Sequence, residues 1–562
     1  MEKKNIAIIV LIVALLGSGI GNILLIVLQP TAPAPEEGVT YVRSTSSGPA
    51  TLEITDSWDS ASNDVLEQVV ETLFFYDLTD LDLPRINVLA HSAWWQDGTH
   101  VQIQLKKGIL FHDETPFNAV AAKWNLDRLQ YLINATGTNT GEVAHTQSLW
   151  MFPDGETPIM KTITVVGTHN LTIELNGPYA TFLNVLAYIN AGMLSPTAHA
   201  GDATSFLDLT TGKPIGTGPF TYDRFIPNVE CRLQRWEQYW QAPANFPTVI
   251  YAIYSDAVTA HNAYLGYTLD ANPMASDQDL LLYEADPKLH VERLTTPSLV
   301  YQYLGFNNDK YNVTWRKAMS YAVNYTYVID VMRLGNAYRA VGAISPGYGA
   351  SYNASVAALA PIHNITYARE IMQSMGFGVG FTTDAEWEAV AEGVSPFLSV
   401  PNHYNIGNTF REDMFVALTT WFKTIGIAVS DEGTTWADFL GYLFDDYDAL
   451  GVFMIGWGPD YLDPYNMLDP LFNPISSSNS GQVNDTWLNA AMLSVLSETN
   501  DAARQDIYKS IQSYMATEGF FHIPLYHSKV TSAKLANIYG GSPNAFGGLR
   551  IYPMYRADWP TA

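Results

Sequence analysis

The chain has 562 residues, too many for one ordinary hydrophobic core and enough for two to four domains at roughly 150 residues each. Its composition, 47% hydrophobic and 15% charged, supplies material for buried cores and excludes bulk disorder. A formal charge of −27 argues against nucleic acid as a partner, because phosphate binding needs concentrated lysine and arginine; the ordinary meaning of such an acidic surface is solubility.

Ile6 to Leu28 is an uncharged run of 23 residues, and at about 1.5 Å per residue it can cross a hydrocarbon layer about 30 Å thick. It exceeds the roughly 7–15 residues of a cleaved signal peptide's apolar region, so residues 1–28 are expected to be an uncleaved transmembrane anchor. Lys3 and Lys4 precede the run, and the positive-inside rule then puts the rest of the chain on the extracellular side. A Pro-rich stalk occupies 29–39. The single cysteine, Cys231, can make no internal disulfide. Asn-X-Ser/Thr sequons at Asn134, Asn170, Asn312, Asn324, Asn353, Asn364 and Asn484 suit an outward-facing glycoprotein, although chance alone gives several.

Beyond the stalk, "SNDVLEQVVETLFFYDL" predicts a packed helix with Ser62 and Asn63 as candidate caps and Val65, Leu66, Val69, Val70, Leu73 and Phe74 on one face. "VQIQLKKG" alternates as a strand that Gly108 ends, and Thr115 with Pro116 is expected to cap a helix carrying Phe117, Val120 and Trp124. "KTITVV" and "LTIEL" predict a hairpin through "GTHN". Further strands are expected at about 299–306, in "DALGVFMIGW" and in "FHIPLY". Further helices are expected in "TWRKAMSYAVNYTYVIDVM" (capped near Thr314), "ITYAREIMQSMGFG", "REDMFVALTTWFKTIG" and "NDAARQDIYKSIQSYMA". Mixed strand and helix order of this kind means an α/β protein.

The order of motifs resembles the extracytoplasmic solute-binding proteins of ABC importers, in the family with oligopeptide-, dipeptide- and nickel-binding members. The blocks are "VVETLFFYD" (69–77), "INVLAHSAWWQDGTHVQIQLKKGILFHDETPFNAVAAKW" (86–124), "IGTGPF" (215–220), "YLGFNN" with "WRKAMSYAVN" (303–324), and "GWGPDYLDPYNML" (456–468). The resemblance implies a two-lobed clamp with an extra subdomain inserted in the first lobe. Lobe I would comprise 40–75, 181–298 and 525–562, the subdomain 76–180, and lobe II 299–524. Two departures stand out: Glu114 replaces a customary glycine in "FHDETPF", and the lipid-bearing cysteine is absent, with the Ile6–Leu28 segment as its substitute.

The implied function is the extracellular, membrane-anchored component of an ABC importer, a non-catalytic monomer without cofactor or metal. It would capture a peptide or other small solute and hand it to a permease with its ATPase subunits. Within "GWGPDYLDPYNMLDPLF" the resemblance puts Asp460 where peptide-binding relatives carry the acid that receives the α-ammonium group, with Trp457, Gly458 and Tyr461 beside it. Asp463 and Asp469, each before proline, are expected to be turn residues. Gly216, Gly218 and Pro219 are expected to shape a turn, and His522 and His527 flank a predicted strand. An oligosaccharide-binding clamp of the same family is the main alternative, because 33 tyrosines and 14 tryptophans offer stacking surfaces. An extracellular glycoside hydrolase is the enzyme alternative, although nothing singles out a catalytic carboxylate pair.

Overall fold

The computed structural model describes residues 40–199, 202–498 and 500–557. The predicted anchor and stalk lie outside these residues. Among the described residues no helix is long and apolar enough to cross a membrane.

Three principal sheets organise the chain. Strand β1 (Thr40–Thr45) is followed by a short ladder of β2 (Phe74–Tyr76) with β3 (Arg85–Asn87). Next come β4 (Ala90–Trp95), β5 (His100–Leu105), β6 (Met160–Gly167) and β7 (Asn170–Leu175), an antiparallel sheet in the order β4-β5-β7-β6. The chain then returns through β8 (Phe220–Ile226), β9 (Glu230–Arg235) and β10 (Thr248–Ile253), giving a second sheet in the order β1-β10-β9-β8. The remaining strands are β11 (Leu289–Phe306), β12 (Ala337–Arg339), β13 (Leu398–Asn405), β14 (Ile427–Thr434), β15 (Val452–Trp457) and β16 (His522–Leu535). They form a six-stranded sheet in the order β12-β16-β11-β15-β13-β14.

The antiparallel pair β11 and β16 joins the six-stranded sheet to the sheet β1-β10-β9-β8. Its ladder runs from Leu289↔Leu535 to Gly305↔His522, and Ala271 bridges Arg43 of β1 and Lys534 of β16 at the first end. Register shifts between Arg293 and Tyr301 break the ladder midway, and such irregularities bend the strands that carry them. Strands β13, β14 and β15 are mutually parallel, so their carboxyl ends share one edge. Alternation along β11 and β15 divides their side chains between two faces. Leu304, Val452 and Met454 face the helix-covered core with Leu418, while Tyr301, Tyr303, Phe453 and Trp457 join the core of the first sheets.

Several helix starts differ from the sequence-based expectation, because side chains compete for the same orphan amides. The first helix is Ser60–Val69, capped by Asp59, whose carboxylate accepts from the amides of Ala61 and Ser62. Ser62 instead accepts from the amides of Ala50 and Thr51, and Phe74 starts a strand. The next long helix is Ala119–Leu132, capped by Asn118, not by Thr115; Phe117 precedes it and Val120 is exposed. The expected long helix after β11 is Val313–Ala322, capped by Asn312, and stops before Asn324, which caps a new turn. Asn353 and Asn364 also cap helical turns, so four of the sequons occur where an asparagine side chain is needed to hold a backbone amide.

At Glu114 the expected difficulty is real and is tolerated: its φ is +64°, the left-handed region that favours glycine. Its amide donates to the carbonyl of Phe111, and its carboxylate accepts from Gln238.

Candidate ligand-binding site

A crevice in an α/β sheet forms outside the carboxyl ends of its parallel strands, where the following loops diverge. Here that edge carries the loop after β15 and the helix start after β13. In β15 an apolar strand delivers Trp457, which stands opposite Tyr301, while Gly456 stands opposite Gln302. Glycine at 456 leaves room for the Gln302 side chain, whose Nε2 would lie 2.0 Å from a Cβ there and would have to swing aside for any other residue. Trp457 is 9% exposed, and its indole Nε1 has no hydrogen-bond partner among the described residues. At Gly458 a Cβ would meet only Val300, at 3.7 Å.

Asp460 is held within the loop by a reciprocal pair with Asn466. The Asp460 amide donates to Asn466 Oδ1 at 2.6 Å, and Asn466 Nδ2 donates to Asp460 Oδ2 at 2.9 Å. Tyr188, from the segment before β8, supplies a further hydrogen bond to the carboxylate. The residue is 8% exposed, and no lysine, arginine or histidine among the described residues pairs with it. Burial pushes its carboxyl up to about 7, only partly offset by the Asn466 and Tyr188 bonds.

Its neighbours behave differently. Asp463 caps the turn Pro464–Met467 as expected, and it also forms a bidentate ion pair with Arg504 at 2.8 Å on each arm and accepts from Tyr508 at 2.6 Å. Asp469 opens the short helix Asp469–Phe472 and accepts from Tyr465 and Asn473, its carboxyl pushed up to about 6 by burial. Tyr461 is 2% exposed and packed in the core that also holds Tyr179 and Tyr465. The loop docks on the first half of the chain through Leu462, whose amide donates to the Tyr76 hydroxyl and whose carbonyl accepts from Asn184.

Gly216 and Gly218 do shape a turn: a Cβ at either would lie under 3 Å from the main chain at Gln68–Val70. His522 and His527 are packed in β16, and burial lowers their imidazoles to about 3 and about 4. Two cavities of about 210 and 190 Å³ flank Ser542–Asn544 beside β11 and β16, and neither is lined by Asp460 or Trp457.

One residue escapes the sequence reading. Arg411, in the first turn of the helix Thr409–Lys423 after β13, is 8% exposed and has no carboxylate partner among the described residues. Its guanidinium donates to Asn405 at the carboxyl end of β13, and burial lowers it to about 10. The only signal in the sequence is an arginine within the first turn of a helix, where the dipole disfavours a cation.

The family model for "Bacterial extracellular solute-binding proteins, family 5 Middle" matches residues 86–479. The chain belongs to this family. It is therefore an extracellular solute-binding protein of the type that serves ABC importers and their permeases. It is 26% identical over 501 residues to the glutathione-binding protein GsiB of Shigella flexneri, covering 86% of this chain and 89% of that one. Identity to heme-binding protein A of Haemophilus influenzae is also 26%, covering 85% and 84% of the two chains. Among solved structures, the dipeptide-binding protein of Pseudoalteromonas sp. SM9913 in complex with Met-Leu superposes with a TM-score of 0.79 at 19% identity, covering 92% of this chain and all of the other. The two-lobed fold expected of the family is thereby established, and the relatives are binding proteins.

Proposed function

We propose that the protein captures short peptides at the carboxyl ends of β13 and β15, with Asp460 receiving the α-ammonium group. The observation that carries this reading is a buried carboxylate with no cation, three residues from an Asp463 that has one. A buried ionised carboxylate without a counter-charge is costly, and a ligand ammonium removes that cost. Arg411 is the complementary feature: a buried cation without a carboxylate at the neighbouring strand end, suited to a peptide's other terminus. The 26% identity to a glutathione-binding protein supports the choice of peptide over oligosaccharide.

Asp460→Ala is expected to weaken peptide binding by about 2–5 kcal/mol. Calorimetry that finds unchanged affinity in this variant, or equal binding of an N-acetylated peptide, removes the assignment. A thermal-shift screen of pooled peptides against cello- and manno-oligosaccharides tests the ligand class, because a ligand that binds only the folded state raises apparent stability.

The same reading keeps the Ile6–Leu28 segment as a single-pass tether and the protein as a monomeric ectodomain on the outer side. It also divides the chain at residues 76, 181, 299 and 525; the sheet β4-β5-β7-β6 falls wholly within 76–180, while β11 and β16 run across the divisions at 299 and 525. Release of the protein from membranes by salt alone, without detergent, would exclude the tether.

A further inference from the structure

Besides the Leu462 contacts with Tyr76 and Asn184, lobe II meets both the first lobe and the subdomain at a second place. The helix Trp436–Phe444, which precedes β15, ends on Phe444. Its ring lies 4.3 Å from that of Trp58 and 5.7 Å from that of His145, in edge-on geometry to both. Trp58 follows the turn Ile54–Asp56 of the first lobe, and His145 opens the turn His145–Trp150 of the subdomain. Around this wedge, Ser477 Oγ donates to the His145 carbonyl at 2.6 Å, and Ser476 Oγ is 3.4 Å from Ser148 Oγ.

We propose that His145 is a proton-operated latch that favours the closed clamp in mildly acidic surroundings. Its Nδ1 lies 3.0 Å from Asp56 Oδ1, and the same oxygen accepts the His145 amide at 2.7 Å. The side chain is 40% exposed, so protons reach it. The charged groups facing it are Asp56 from its own side, Glu142 from the preceding loop, and Asp445, the residue after Phe444 in lobe II. Trp58 and the serine loop add no charge. The Asp56 hydrogen bond raises the imidazole above its ordinary value, burial opposes this, and the charges of Asp56, Asp445 and Glu142 add to the rise.

On the proposed division of the chain, Asp56 and Glu142 lie on the same side of the clamp as His145, whereas Asp445 and the Phe444 ring belong to lobe II and would leave His145 when the lobes part. Closing therefore raises the affinity of His145 for its proton, and by linkage protonation favours closing. The effect is complete below the imidazole value of the open form and is lost as pH rises through that of the closed form.

The test uses the unliganded ectodomain with a pair of fluorophores on exposed Val166, in the proposed subdomain, and exposed Val394, in the proposed lobe II, so that it depends on lobe motion and not on the identity of the cargo. The closed-to-open ratio is expected to fall two- to five-fold between pH 5.5 and pH 8. His145→Asn is expected to abolish this dependence, and Asp445→Asn, at the exposed end of its helix, to reduce it while leaving the fold intact. A wild-type ratio that does not change with pH, or a change that persists in His145→Asn, overturns the proposal. Failure of peptides to bind the wild-type protein would overturn the ligand assignment and leave the latch standing.

Discussion

Two regions bury carboxylates and treat them in opposite ways. Between the turn Ile54–Asp56 and the helix Ala119–Leu132, Glu53 is fully buried against Arg128, with bonds of 2.7 and 2.6 Å from the two guanidinium arms and two backbone amides completing its shell. Glu71, 2% exposed, has no ion pair among the described residues and is satisfied instead by three donors, Thr217, Tyr239 and Trp240. In the loop after β15, Asp460 is almost as deeply buried and has Asn466 and Tyr188 but no cation. A carboxylate whose shell is complete holds the fold together. One left short of a counter-charge stores a preference that a ligand can satisfy.

The contrast is broken most severely at Arg128. Arg128→Ala strands Glu53 in the interior and is expected to cost about 3–5 kcal/mol in urea denaturation, with loss measured as a lower midpoint. Asp460→Asn is expected to act in the other direction on the unliganded protein. Because the folded carboxyl lies near 7, above its unfolded value near 3.9, the folded state keeps a proton that the unfolded state has lost. This group's contribution is most favourable below about pH 4 and declines as pH rises to about 7. The asparagine variant should flatten that decline and be more stable at pH 8 by up to roughly 4 kcal/mol. Peptide affinity of the wild-type protein should rise over the same interval as Asp460 ionises, and calorimetry in buffers of different ionisation enthalpy would detect the released proton.

Smaller effects sharpen the local part of the comparison. Asn118→Ala removes the cap on Ala119–Leu132, the helix that carries Arg128, and is expected to cost about 1 kcal/mol. Glu114→Gly relieves a left-handed residue and is expected to gain about 1 kcal/mol, read as a rise in thermal midpoint. If Glu114→Gly instead destabilises, the Gln238 contact outweighs the backbone strain.

Much of the fold was legible from local pattern. Alternation in "VQIQL", the "GTHN" hairpin and the apolar run ending at Trp457 correspond to β5, the β6–β7 turn and β15, because a buried face imposes its period on the chain. Helix starts were less legible. Asp59, Asn118 and Asn312 each had a competing hydroxyl or amide side chain one to three residues away, and composition does not choose among them. The candidate site divides the same way: Asp460, Trp457, Gly458 and Tyr461 stand out as a loop motif, whereas Arg411 is an ordinary helix residue until β13 and β15 are seen to end at one edge.

The sequence by itself carried the order of motifs that marks the class of protein and, through local periodicity, the strand that leads to Asp460. Tertiary structure alone decided which charges are neutralised. Asp463 lies 41 residues from Arg504 in sequence and Glu53 lies 75 from Arg128, so pairing depends on how distant segments meet in space. Asp460 remains without a cation for the same reason: no distant segment among the described residues brings one to it.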